Sequence, residues 1–286
     1  MKKEENKRIA LFLALTFIPM WVLSYLYYFE RNNIILSIMM FLPAIASIIT
    51  RIISKESFSH MMIRPCFRGN RKWYFLAYLA PPFIAYFGTV VYFLLFKSEF
   101  SPLQSSFAIE SSISSTSEFL RNMLVLIPLA IIVNPLMGIV QCTGEELGWR
   151  GYLLPKLGKI FCPSFASVIT GVIWGLWHAP IIAMGYNYGT EHPIAGIFAM
   201  IAFCTSLGII SGFLTYKVNS IWPAVLFHAS INGLDRWAPS TLLMSQKPNM
   251  FLGPDIVGII GGLGFIIIDV ILIMIMRQWK KELFNC

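Results

Sequence analysis

PIAGIFAMIAFCTSLGIISGFLTY, residues 193–216, runs 24 positions without a charged side chain. At the rise of an α-helix this matches a bilayer hydrocarbon core, about 30 Å thick. Seven further apolar runs flank it, at 9–29, 33–53, 73–96, 120–144, 164–186, 219–235 and 255–276. The chain is 57% hydrophobic and 13% charged, with a mean hydropathy of +0.69. A soluble domain carries about 45–50% apolar and about 25% charged residues. Disorder, collagen, coiled coil and an ordinary soluble domain are thereby excluded. The expected fold is all-α, a polytopic bundle of about eight spanning helices forming one integral-membrane domain over 1–286. Its parts are N-terminal helices within 9–96, a core over about 120–235 and a last helix at 255–276.

Proline falls inside several runs, at Pro19, Pro43, Pro81, Pro82, Pro128 and Pro135. Spanning helices tolerate it because neighbouring groups re-satisfy the freed backbone. The first run follows Lys7 and Arg8, as a signal peptide would. It is too long for that and ends in Tyr25-Leu26-Tyr27-Tyr28, so it reads as a retained helix.

The net charge of +8 is a question of topology before it is one of nucleic acid. With a cytoplasmic N-terminus and eight spans, 17 of the 22 Lys and Arg lie inside. Only Arg31, Lys97, Arg121, Arg236 and Lys247 fall outside. Both termini are therefore expected in the cytoplasm. The basic stretch 54–72 reads as a cytoplasmic loop with a short interfacial helix in contact with membrane lipids, and the Ser-rich 97–119 as an external loop. No nucleic-acid partner is expected, and the oligomeric state is left open. The five cysteines, Cys66, Cys142, Cys162, Cys204 and Cys286, include no CxxC and read as free thiols in apolar surroundings.

Ionisable groups inside spans are costly and point to function. They fall in three clusters. In Thr143-Gly144-Glu145-Glu146-Leu147-Gly148-Trp149-Arg150, Glu146 and Arg150 are four apart and share a helix face, while Glu145 points about 100° away. One carboxylate can anchor to the arginine while the other serves as a base; a solvated surface ion pair is the plainer alternative. In Trp174-Gly175-Leu176-Trp177-His178, a histidine lies deep in apolar sequence, where a bond to a backbone carbonyl would also explain it. In His228-Ala229-Ser230-Ile231-Asn232, His228 and Asn232 project from one face. Two donors there suit an oxyanion hole, or interhelical bonding. Together the clusters supply what water-mediated amide hydrolysis needs. HExxH and GxSxG are absent. Asp269 stands alone in the last run and reads as a helix-contact residue.

Glu145-Glu146-xxx-Arg150, then Trp174-xxx-His178, then His228-xxx-Asn232 resembles the CPBP family, the CAAX protease and bacteriocin-processing (Abi) group that includes the type II CAAX prenyl endopeptidase. The motifs lie within 143–232. The family's second motif commonly begins with Phe, where this chain has Trp174, so a changed pocket wall is expected. The resemblance implies a membrane-embedded endopeptidase whose cavity is reached from the cytoplasm. Glu145 and His178 would activate water, His228 and Asn232 would stabilise the oxyanion, and Glu146 with Arg150 would hold the first glutamate's helix. Substrates would be prenylated CAAX-type proteins or leader-bearing peptides.

Glu145, His178 and His228 also make a two-His, one-carboxylate set that Zn2+ could use. The preferred expectation needs no cofactor, because Asn232 beside His228 suits an oxyanion hole. Glu145 lies near the end of its run and the histidines near the middle of theirs, so convergence requires a tilted or kinked fourth helix or a water-filled vestibule. Pro128 and Pro135 offer the kink. The alternatives are a non-catalytic bacteriocin-immunity or scaffold protein of the same family and, further off, a proton-coupled transporter.

Overall fold

Two short reversals establish how the helices alternate. Helix α1 (Lys2–Glu30) ends at Arg31, whose φ of +50° turns the chain, and Asn32 caps α2 (Asn33–Ile53) by accepting the Ile34 N–H. The computed structural model describes residues 2–235 and 237–279. Helix α3 covers Arg71–Leu95. Helix α4 runs unbroken over Thr116–Gly158, 43 residues, from a capping box made by Ser115 and Glu118. Helix α5 (Pro163–Trp177) continues past His178 in a short turn, Ala179–Ala183. Helix α6 (Pro193–Val218) stops at left-handed Asn219, and α7 (Trp222–Asp235) and α8 (Leu263–Gln278) complete the bundle.

The eight helices answer to the eight apolar runs, and the chain is an integral membrane protein. Five of them, α1 to α4 and α6, are long and apolar enough to cross a bilayer. The last run departs from expectation. Residues 255–262 form turns, and helix begins only at Leu263. Gly253, Gly258 and Gly261 lie so close to backbone that side chains would not fit, and Gly253 has φ +106°. The 97–119 segment is more than a loop. Its short helices carry Phe107 and Ala108, which pack with Ile113, Phe119 and Leu242 into a small separate core. Residues 54–70 hold one short turn, Phe58–His60.

One end of the bundle gathers the N-terminus, 54–70, 149–162 and 218–221. Lys156 bonds Glu5 and Glu56, Arg8 bonds Glu56, Arg51 donates to the Gly151 carbonyl, and the Ile221 N–H donates to Met62. The opposite end gathers 97–115, 184–192 and 237–262. There the Ser101 N–H donates to Leu243, Thr89 to the Pro254 carbonyl and Tyr188 to that of Val257. Asp269 is buried on α8, which packs on α6. Cys142 and Cys204 are buried thiols, whereas Cys162 is exposed. Arg236, Lys280, Lys281 and Cys286 lie outside the described residues.

Candidate active site

Helix α4 carries the first cluster and is locally rewound on both sides of it. Residues Leu129–Val133 and Trp149–Leu153 each form a π turn. The first is the expected irregularity between Pro128 and Pro135. Pro135 has no N–H to give to the preceding turn, and the Ile132 carbonyl accepts the Tyr78 hydroxyl. Glycines set how closely α4 meets α2. A methyl on Gly144 would lie 2.6 Å from the Met40 carbonyl oxygen. Glu145 therefore sits at the level of Met40, in the interior of the bundle.

The two adjacent carboxylates diverge as helix geometry requires. Glu146 Oε1 accepts from Arg150 Nη1 at 3.1 Å, and both side chains are fully buried. The same oxygen lies 2.9 Å from His228 Nδ1, so the pair also ties α4 to α7. A solvated surface pair is ruled out by this burial. Glu145 is 3% exposed, and its Oε2 accepts the Trp174 indole N–H at 2.6 Å. The Arg150 guanidinium stacks on the Trp174 ring at 4.6 Å, and the His228 ring meets it edge-on at 5.1 Å. Trp174 is thus a polar partner as well as a wall. Its sequence signal was present: a buried indole N–H needs an acceptor.

His178 follows α5, which glycines press against α6. A methyl on Gly171 would lie 2.6 Å from the Thr205 Cα, and one on Gly208 2.7 Å from the Gly171 Cα. His178 Nδ1 is 2.9 Å from the Trp174 carbonyl oxygen. A carbonyl only accepts, so Nδ1 carries the hydrogen and Nε2 keeps a free lone pair. Cys204 Sγ is 3.7 Å from the same Nδ1. Asn232 is exposed to the cavity, with Nδ2 only 3.6 Å from Cys142 Sγ, a weak acceptor.

Glu145, Trp174, His178, His228 and Asn232 all line one cavity of about 380 Å³. Sequence reasoning missed the rest of its wall: Met20, Met39 and Met40 from the first two helices, and Tyr86, Trp237 and Asp255, none of which belongs to a motif. Asp255 lies in the turns before α8. Burial raises its carboxyl, opposed by the Ser240 hydroxyl and N–H that it accepts. Among the described residues no three His, Cys, Asp or Glu side chains group as a metal site. Glu145 Oε2 and the Nδ1 atoms of both histidines are already engaged. That leaves the other Glu145 oxygen and the Nε2 atoms free, but the three side chains do not group as a metal site, and no step below is routed through a metal.

The cavity extends from this cluster to Asn187, Pro239 and Val257, at the end opposite the N-terminus. Toward the N-terminal end it is closed by Trp149, Arg150, Tyr152 and Leu153, each with no exposed surface.

Residues 121–234 match the family model described as Type II CAAX prenyl endopeptidase Rce1-like. The chain is also 36% identical over 98 residues to CAAX prenyl protease 2 of Methanococcus maripaludis, an alignment covering 33% of this chain and 36% of that relative. The chain thus aligns with about a third of the length of the curated relative it matches. The matched segment holds all three clusters, and over residues 121–234 the chain is similar to the Rce1-like branch of the CPBP family.

Proposed function

We propose that this protein is an intramembrane endopeptidase of CAAX type, acting on a prenylated or leader-bearing peptide, with both termini in the cytoplasm of a bacterial cell. Glu145 accepts a proton from water as the oxygen attacks the scissile carbonyl. His178 Nε2 holds and orients that water through its lone pair. The carbonyl oxygen becomes an oxyanion that meets the Asn232 amide, which gives up its weak sulfur contact, and the Nε2–H that His228 offers when its ring carries both protons, Nδ1–H facing Glu146. As the C–N bond breaks, the proton held by Glu145 passes to the departing amine. Glu146 and Arg150 fix the helix and the His228 ring. No metal or other cofactor is needed for these steps.

The observation that carries the reading is the convergence of Glu145, His178, His228 and Asn232, from three parts of the bundle, on one apolar cavity. The test uses the purified full chain in detergent with a quenched farnesylated CAAX peptide and a quenched leader-type peptide. Cleavage by the wild type and a loss of about 10²–10⁴-fold in Glu145→Ala is expected. Retained cleavage in the variant overturns the role of Glu145. No cleavage by the wild type favours the non-catalytic immunity or scaffold alternative.

A further inference from the structure

Charge is distributed unevenly over the end of the bundle that holds the N-terminus. One side of that end neutralises itself. Arg8, Lys156 and Lys159 bond to Glu5 or Glu56, and Arg51 donates to the Ser57 and Gly151 carbonyls. The other side, where α3 begins and α6 and α8 end, carries Arg71, Lys72, Lys217 and Arg277, all exposed. Among the described residues none of these four forms an ion pair.

Two of the four cations converge on one ring. Lys72 Nζ lies 5.3 Å and Lys217 Nζ 5.9 Å from the centre of the Trp73 indole, so one tryptophan draws an ammonium group from each of two helices. Trp73 is half-buried and meets the Phe213 ring edge-on at 5.5 Å, and Phe213 stacks on Trp279 at 5.4 Å. The three rings tie α3, α6 and α8 together. Phe213 and Lys217 are four apart, so the lysine rises from the same face of α6 one turn nearer its end. The chain beside this corner is pinned as well. The Asn70 amide donates to the Cys66 carbonyl, and the Cys66 thiol reaches the Asn219 carbonyl at 3.8 Å.

Helix length sets the depth of the corner. Both α3 and α6 are long and apolar enough to cross a bilayer. Trp73 is the third residue of α3 and Lys217 the last but one of α6. Both therefore stand where hydrocarbon gives way to headgroups, the level that tryptophan favours. Exposed apolar side chains follow at once, Phe75 and Leu76 on α3 and Met274 and Ile275 on α8. Unpaired ammonium groups beside aromatic rings, at the edge of apolar surface, match an amphiphile with an anionic head.

We propose that the junction of α3, α6 and α8 binds an anionic phospholipid, its phosphodiester headgroup held by Lys72 and Lys217 beside Trp73 and its acyl chains laid on the exposed apolar side chains of α3 and α8. The seat is separate from the cavity, since Lys72, Trp73, Phe213, Lys217 and Trp279 do not line it. Lipid binding here is thus independent of the protease reading.

The test is a titration of the purified full chain in detergent with phosphatidylglycerol or phosphatidylcholine, with lipid retention read by native mass spectrometry. The wild type should retain phosphatidylglycerol in preference to phosphatidylcholine. In the double variant Lys72→Gln, Lys217→Gln the affinity for phosphatidylglycerol should fall about tenfold to thirtyfold, with the lipid-free melting midpoint unchanged. Lys55→Gln, Arg64→Gln removes the same charge from exposed positions at the same end and should cost less than about threefold. Equal losses in the two double variants would mean diffuse attraction by net charge and would overturn the site. An absent preference between the two lipids would overturn it too. Displacement of phosphatidylglycerol by inorganic phosphate, but not by sodium chloride of equal ionic strength, would overturn the lipid as the occupant.

Discussion

The Trp174 indole N–H donates to Glu145 Oε2 at 2.6 Å, joining the helix of the second motif to the carboxylate of the first. The bond leaves the other carboxylate oxygen for water. A hydrogen bond to a charged group contributes about 1.5–3 kcal/mol. Trp174→Phe keeps a ring over Arg150 and beside His228 but removes the donor. Its kcat on the quenched peptide should fall about tenfold to a hundredfold, with the melting midpoint little changed. An unchanged kcat would show that the bond does not position Glu145.

Neighbouring carboxylates should respond differently to the same change. Glu145→Gln should abolish most cleavage and leave stability nearly intact. Glu146→Gln leaves the wholly buried Arg150 without its counter-charge, at a cost of about 3–5 kcal/mol. Thermal melts in detergent check this. The double variant Glu146→Gln, Arg150→Met should regain part of the stability lost, since no unpaired charge then remains.

Much of this was legible from the chain. The Glu146–Arg150 pair and the divergence of Glu145 follow from helix spacing alone, and eight apolar runs became eight helices. The placement of α8 was not legible, because apolar content does not separate helix from the glycine turns at 253–262 that fold back on α3. The methionine wall was hidden for another reason. Met20, Met39 and Met40 lie more than 100 positions from Glu145, and Met39 and Met40 are brought to it by the packing of α2 on α4 at Gly144 and Gly148.

Chelation separates two chemistries that sequence left open. Glu145, His178 and His228 do not group as a metal site among the described residues, and one atom of each is held by Trp174, a carbonyl and Glu146. Cleavage should therefore survive dialysis against a strong chelator, and elemental analysis should find no stoichiometric zinc. Activity lost on chelation and restored by Zn2+ would require the three side chains to rearrange.

Cys162 should be an unusually quick thiol. The Ser164 hydroxyl, 3.6 Å from its sulfur, lowers its pKa from the ordinary value of 9.0, with smaller help from nearby backbone N–H groups. The thiolate is the reactive form, so the maleimide rate should rise at lower pH than for a free thiol. Ser164→Ala should move the rise back upward. A profile unaffected by the substitution would rule out this cause.

The closed layer of Trp149, Tyr152 and Leu153 also bears on the cell's energy supply. A hydrolase that admits water to the middle of a membrane opens half a path for protons, and each elementary charge crossing 100 mV dissipates about 2.3 kcal/mol. Carboxylates and imidazoles lining such a water column would make good stepping stones. Because Trp149, Tyr152 and Leu153 have no exposed surface, they would insulate the proton gradient on that side of the site. Such a layer would keep a hydrolase from becoming a leak.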